Sequence, residues 1–93
     1  MLMVTDDHII YAKQLLNCKT GDETVLLSIE NGNYYGLNAT ASRIWELLQL
    51  PCSINSICNV LMSEFTISDE QCRMEVSQFI NLLKQNQLIH EAV

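Results

Sequence analysis

TVLLSIENGNYYG, residues 24–36, is the stretch that decides the fold. Thr24 to Glu30 is rich in β-branched and large apolar side chains, the composition of a strand. Asn31-Gly32 follows at once, a dipeptide suited to a two-residue type I′ hairpin, in which both central residues need a positive φ. Such a loop fixes the register, setting Glu30 opposite Asn33, Ile29 opposite Tyr34 and Ser28 opposite Tyr35. Because side chains alternate across a strand, Val25, Leu27, Ile29 and Tyr34 then share one face. That face is the apolar one and is expected to lie under a cover. The opposite face carries Ser28, Glu30 and Tyr35, with Leu26 and Leu37 nearer the open end.

Upstream, His8 to Leu16 is apolar and reads as a first strand, and Asn17 to Asp22, which contains Gly21, reads as a turn or loop. Downstream, three segments have helical spacing. Asn38 can cap the first, in which Leu37, Ala41, Ile44, Trp45 and Leu48 recur until Pro51 stops it. Ser53 can cap the second, with a stripe of Ile54, Ile57, Cys58, Leu61, Met62 and Phe65. The third is the longest. Ser68 and Gln71 form a capping box, Asp69 and Glu70 sit at its positive end, and Lys84 lies near its negative one. Its stripe is Cys72, Val76, Phe79, Ile80 and Leu83. At ~100° per residue, Leu82 and Glu75 flank one margin of that stripe, and Ile80 and Arg73 the other. The apolar sector is wide, so it is either core on several sides or core plus one wall of a ligand groove. Strands first and helices after give an α+β class, an antiparallel three-stranded sheet followed by three helices. A winged helix-turn-helix is compatible with that order.

Ninety-three residues make one domain, expected over 1–93 with residues 1–7 flexible. Apolar residues are 48% of the chain and charged ones 17%, enough core material to fold without staples. No apolar run is long enough to cross a membrane. The start has no basic region and meets Asp6 and Asp7 early, so a secretory signal is not expected and the location is read as cytoplasmic. The net charge is −6, and the five bases, Lys13, Lys19, Arg43, Arg73 and Lys84, are scattered. This argues strongly against nucleic acid, since useful phosphate neutralisation takes roughly 6–10 clustered cations.

Catalysis and metal binding find no support. Cys18, Cys52, Cys58 and Cys72 form no closely spaced pair and read as reduced, mostly buried small hydrophobes, with neither a metal site nor a disulfide framework. His8 and His90 lie near the chain ends, away from any activated Ser or Cys. Carboxylates are dispersed, and no glycine-rich phosphate cradle exists. No cofactor and no enzymatic activity are expected. The aromatics say more. Tyr34 and Tyr35 point to opposite faces of the last strand, with Tyr34 read as core and Tyr35 as partly exposed. Alternatively this strand is an uncovered edge that pairs with an added peptide. Trp45 stands at core spacing and reads as structural.

GNYYGLNATASRIWELL, the helix starting near Ser53 and the final helix ending in NLLKQNQLI together resemble the PqqD-like family, over roughly residues 8–92. Ala41 or Ser42 stands where that family often has glycine. Members serve in pyrroloquinoline quinone synthesis and as recognition elements for ribosomally made, modified peptides. The resemblance implies a winged helix-turn-helix that binds a leader peptide as a strand against the third strand and the third helix. The implied contacts are Gly32, Asn33, Tyr34, Tyr35 and Gly36, facing Arg73, Glu75, Val76, Phe79, Ile80, Leu82 and Leu83. A stand-alone domain with a YYGLN string looks most like the leader-binding proteins of lasso-peptide pathways, whose partners are a cysteine leader protease and an ATP-dependent cyclase. A peptide carrier for a radical enzyme in quinone-cofactor synthesis, a winged-helix regulator and a plain protein adaptor are the competing readings.

Overall fold

The computed structural model describes residues 8–92, so the expectation for residues 1–7 falls outside it. Tight turning is assigned to Gly21, not to Asn31-Gly32. Gly21 has φ +63° and, with Asp22, joins β2 (Leu16–Thr20) to β3 (Glu23–Leu27). Glycine at the first central position is what a type II′ hairpin needs. The segment expected to be a loop is therefore mostly strand.

β3 pairs with β4 (Tyr34–Leu37) across a longer connection than expected. Gly32 has φ +72°, but Asn31 does not adopt a positive φ. Its side-chain oxygen instead accepts from the Asn33 N–H at 2.9 Å, an Asx turn. Ser28 carbonyl accepts from Gly32 N–H at 2.8 Å, and Ser28 N–H donates to Asn33 carbonyl at 2.9 Å. Leu27 thus faces Tyr34 and Leu26 faces Tyr35, a register two residues from the one expected. An even shift keeps the same residues together on each face. What is inverted is the face that meets the core. Leu26 is fully buried, Leu37, Thr24 and Ser28 are buried and Tyr35 is half-buried, while Val25, Ile29 and Tyr34 are exposed.

The helices follow their caps. α1 (Ala39–Leu47) starts on Asn38, whose side chain accepts from Ala41 N–H at 2.9 Å. α2 (Ile54–Glu64) starts on Ser53, with Ser56 completing a capping box. α3 (Asp69–Gln85) starts on Ser68, which accepts from Gln71 N–H at 3.2 Å. Ile44, Trp45, Leu48, Ile57, Cys58, Leu61, Cys72, Val76, Ile80 and Leu83 form one core with Leu26 and Leu37. Cys58 and Cys72 are buried there and Cys52 is half-buried, but Cys18 is exposed on the sheet. The buried indole N–H of Trp45 finds no acceptor among the described residues.

A fifth strand, β5 (Ile89–Ala92), was not expected. α3 ends in a Schellman-type turn, with Leu88 N–H on Leu83 carbonyl at 2.9 Å, Gln87 N–H on Lys84 carbonyl at 3.0 Å and Gln87 at φ +60°. Glycine usually marks that position, and glutamine hides it. The reversed chain pairs with β1 (Ile9–Ala12), so the first strand lies in a separate two-stranded sheet, outside the β2-β3-β4 sheet. Ile10, wholly buried, also bridges Cys52 through N–H···O bonds of 2.7 and 2.9 Å.

Glu91 clamps this closure, meeting Lys84 Nζ at 2.6 Å and His8 Nδ1 at 3.1 Å. The Lys84 hydrogen bond, aided by His8, holds the Glu91 carboxyl below its ordinary value against a smaller upward push from burial. A carboxyl depressed on folding stabilises above its unfolded pKa and loses that contribution as pH falls through the folded one. The Tm advantage of the wild type over Glu91→Gln should therefore be present at neutral pH and vanish through the acidic carboxylate range, as thermal melts at stepped pH will show. The face assignment is tested by denaturant melts: Leu26→Ala should cost about 2–5 kcal/mol, and Val25→Ala less than about 1 kcal/mol.

Candidate functional site

β4 is an edge strand: β3 lies on one side, and no described strand lies on the other. The Ser28–Asn33 bond sets the phase of the ladder, because hydrogen-bonded and non-bonded pairs alternate. Tyr35 and Leu37 consequently direct their backbone groups to β3, and Tyr34 and Gly36 direct theirs to the open side. Four residues with two outward-directed pairs of N–H and C=O are a short template for an added strand.

A groove of about 440 Å³ lies against this edge, between β4, the start of α1 and α3. Tyr35, Leu37, Ala41, Phe79, Leu82 and Leu83 are among its walls. Tyr35 is fixed at its tip, where the hydroxyl donates to Asn86 Oδ1 at 3.4 Å and accepts from Asn31 Nδ2 at 3.3 Å. Along α3 toward its N-terminus the groove continues into a second hollow of about 500 Å³. Asn38, Ala41, Phe79 and Leu82 line both. The second hollow has Ile44, Leu61, Cys72 and Val76 at its base, Phe65 and Ile67 beside it, and Glu75, Gln78 and Thr40 around it.

The α3 margin that faces this groove is the one carrying Glu75, Phe79 and Leu82. The other margin turns to α2, where Arg73 Nη1 donates to Asn55 Oδ1 and Arg73 Nε to Asp69 at 3.1 Å. Arg73 does not line the groove, nor does Ile80, which is wholly buried in the core. Gly32 and Asn33 belong to the loop before β4 and also lie off its walls. Tyr34, Tyr35, Gly36, Glu75, Val76, Phe79, Leu82 and Leu83 are the sequence candidates that converge. Asn38, Ala41, Phe65, Ile67, Asn86 and Leu88 join them without having been singled out. Asn38 and Ala41 were visible only as a cap and a core position, and Leu88 depends on the unexpected turn at Gln87.

Electrostatically the groove favours neutral or basic ligands. Arg43 is spent on Glu64 at 2.7 Å, and that bond holds the Glu64 carboxyl below its usual range. Arg73 is paired with Asp69, whereas no ion pair of Glu75 occurs among the described residues. The site offers no nucleophile–base pair: Cys72 is buried with its Sγ 3.9 Å from the Cys58 carbonyl. Burial pushes the half-buried Cys52 thiol up, away from thiolate chemistry. No cluster of three metal-ligating side chains is found among the described residues, and no described helix is long and apolar enough to cross a membrane.

The structure of TbiB1 in complex with the TbiA(beta) leader peptide is similar in fold. It superposes with a TM-score of 0.77, covers 99% of each chain and is 24% identical in sequence. No curated protein matches. The family model of coenzyme PQQ synthesis protein D (PqqD) matches residues 23–89, from the start of β3 to the start of β5. That span holds β4, all three helices and every wall of the groove described above, and on this match the chain belongs to the PqqD family.

Proposed function

We propose that this protein is a non-catalytic recognition element for the leader segment of a ribosomally synthesised precursor peptide. The leader adds as an antiparallel strand to the open edge of β4 and lays alternate side chains into the groove along α3. The carrying observation is the adjacency of that open edge and that apolar groove. Family membership supports the reading, as does the likeness to TbiB1, whose structure contains a leader peptide.

Main-chain pairing at Tyr34 and Gly36 supplies sequence-tolerant affinity, and the groove supplies selection. A leader tyrosine or leucine fills the space beside Phe79 and Leu82, and a basic leader residue meets Glu75. Gly32 and Asn33 set the approach to the edge. Ile80 and Arg73 act from behind, holding α3 against the core and α2. The domain performs no chemistry. It raises the concentration of the core peptide at its partner enzymes, a cysteine leader protease and an ATP-dependent cyclase of a cytoplasmic lasso-peptide pathway. On this reading the fold is a winged helix-turn-helix turned from DNA to peptide. The description of the family favours a second reading, a peptide carrier for a radical enzyme in quinone-cofactor synthesis. The two differ in which precursor binds.

A fluorescent leader from the neighbouring precursor gene should bind with Kd on the order of micromolar to tens of nanomolar in polarisation titrations. Phe79→Asp should weaken it at least about tenfold while the far-UV spectrum and melt persist. A wild-type protein silent at roughly tens of micromolar leader would point to a plain adaptor instead.

A further inference from the structure

β2 is the other open edge of the sheet. β3 lies on one side of it, and among the described residues no strand lies on the other. Every residue of Leu16–Thr20 is exposed. The phase of the ladder fixes which backbone groups are left over. Thr24 and Leu26 direct theirs to β4, so Glu23, Val25 and Leu27 bond their β2 partners Thr20, Cys18 and Leu16. Asn17 and Lys19 are left with N–H and C=O groups directed outward. The usual guards of an edge are missing. The strand has no proline, its register is unbroken, and its lysine is drawn aside, with Lys19 Nζ on Glu46 of α1 at 3.1 Å. α1 packs over β3 and β4, so β2 projects beyond it and leaves room for the sheet to continue.

This edge is complementary to itself. Antiparallel pairing about Cys18 sets Asn17 opposite Lys19 of a second copy and Lys19 opposite Asn17, so the outward groups of each meet those of the other. Leu16 then faces Thr20 and Cys18 faces Cys18, with no like charges opposed. Continued along the same axis, the Gly21-Asp22 turn of each copy comes abreast of residues 13–15 of the other, which brings Asp22 and Glu23 toward Lys13. Neighbouring registers lack these features. Centring on Lys19 opposes two ammonium groups, and centring on Asn17 leaves Lys19 beyond the end of the other strand.

We propose that two copies of this protein associate through β2, antiparallel and centred on Cys18, joining their three-stranded sheets edge to edge. The pairing is isologous, with the same strand contributed by both copies. Cys18 and its counterpart form a non-hydrogen-bonded pair about 4.5 Å apart at Cα, within the roughly 4.4–6.8 Å that a disulfide spans. One short strand from each copy is a small interface, so the expected Kd is on the order of tens to hundreds of micromolar. Each β4 lies at the far margin of the joined sheet. Dimerisation and peptide addition at β4 therefore use opposite edges and do not compete, and the inference stands apart from the leader reading.

Sedimentation velocity of the full chain in reducing buffer, over a concentration series reaching roughly 0.5 mM, tests this. Wild type and Cys18→Ser should dimerise alike. Cys18→Lys, which opposes two cations on an exposed face, should weaken the dimer at least about fivefold. Asn17→Pro removes a donor that makes no bond within the monomer, and should weaken it at least about tenfold. Far-UV spectra and melts confirm that the variants fold, and if Asn17→Pro does not, Cys18→Lys decides. Treatment with diamide should trap the wild type as a covalent dimer on a non-reducing gel and leave Cys18→Ser monomeric. A wild type that stays monomeric at roughly 0.5 mM overturns the proposal. So does a dimer that Cys18→Lys leaves intact. A dimer that a peptide bound at β4 dissolves assigns self-association to β4, and overturns it too.

Discussion

Leu37 ends β4 fully committed to the core, and one residue later Asn38 starts α1. That short joint governs the rest of the molecule. The Ser42 hydroxyl donates to the Leu37 carbonyl at 3.2 Å, stitching the helix back onto the strand end. With the joint so tight, α1 lies on the side of the sheet to which Leu37 points, which is also the side of Leu26, Thr24 and Tyr35. The helical layer then covers one face through α1, and no described element covers the other. Among the described residues no strand flanks the outer side of β4, since those after α3 turn at Gln87 and pair with β1 instead.

Two surfaces follow from this one constraint. The flank of β4 remains open between Tyr35 and the Phe79–Leu82 margin of α3, and this is the peptide groove of the proposed function. The opposite face carries Leu16, Val25 and Tyr34 outward. Both surfaces meet at Tyr34 and Gly36. The acidic balance of the chain suits the groove, since Arg43 and Arg73 near it are held by Glu64 and Asp69.

Much of this was legible in residue order. Asn38, Ser53 and Ser68 announced the three helix starts, because side-chain oxygens before an apolar periodic run have one strong use. The projection of α3 separated Glu75 and Leu82 from Arg73, and the groove opens on the former margin. The sheet was less legible. Val25, Leu27, Ile29 and Tyr34 outnumber Leu26 and Leu37, so a count of apolar residues selects the wrong face. The deciding fact is the one-residue link after Leu37, which a period-two pattern does not weigh. Asn31-Gly32 misled because asparagine can serve a turn through its side chain as readily as through a positive φ. β5 was hidden by glutamine at the positive-φ position that glycine ordinarily marks.

Strand addition at β4 is the claim on which the functional account stands, and amide hydrogen exchange measures it residue by residue. In the free protein the Tyr35 and Leu37 amides should exchange slowly, bonded to β3, while those of Tyr34 and Gly36 exchange fast. With leader peptide at saturation the Tyr34 and Gly36 amides should become protected together. Saturated peptide that leaves these two amides exchanging at their free rates, with protection appearing elsewhere, would contradict the account.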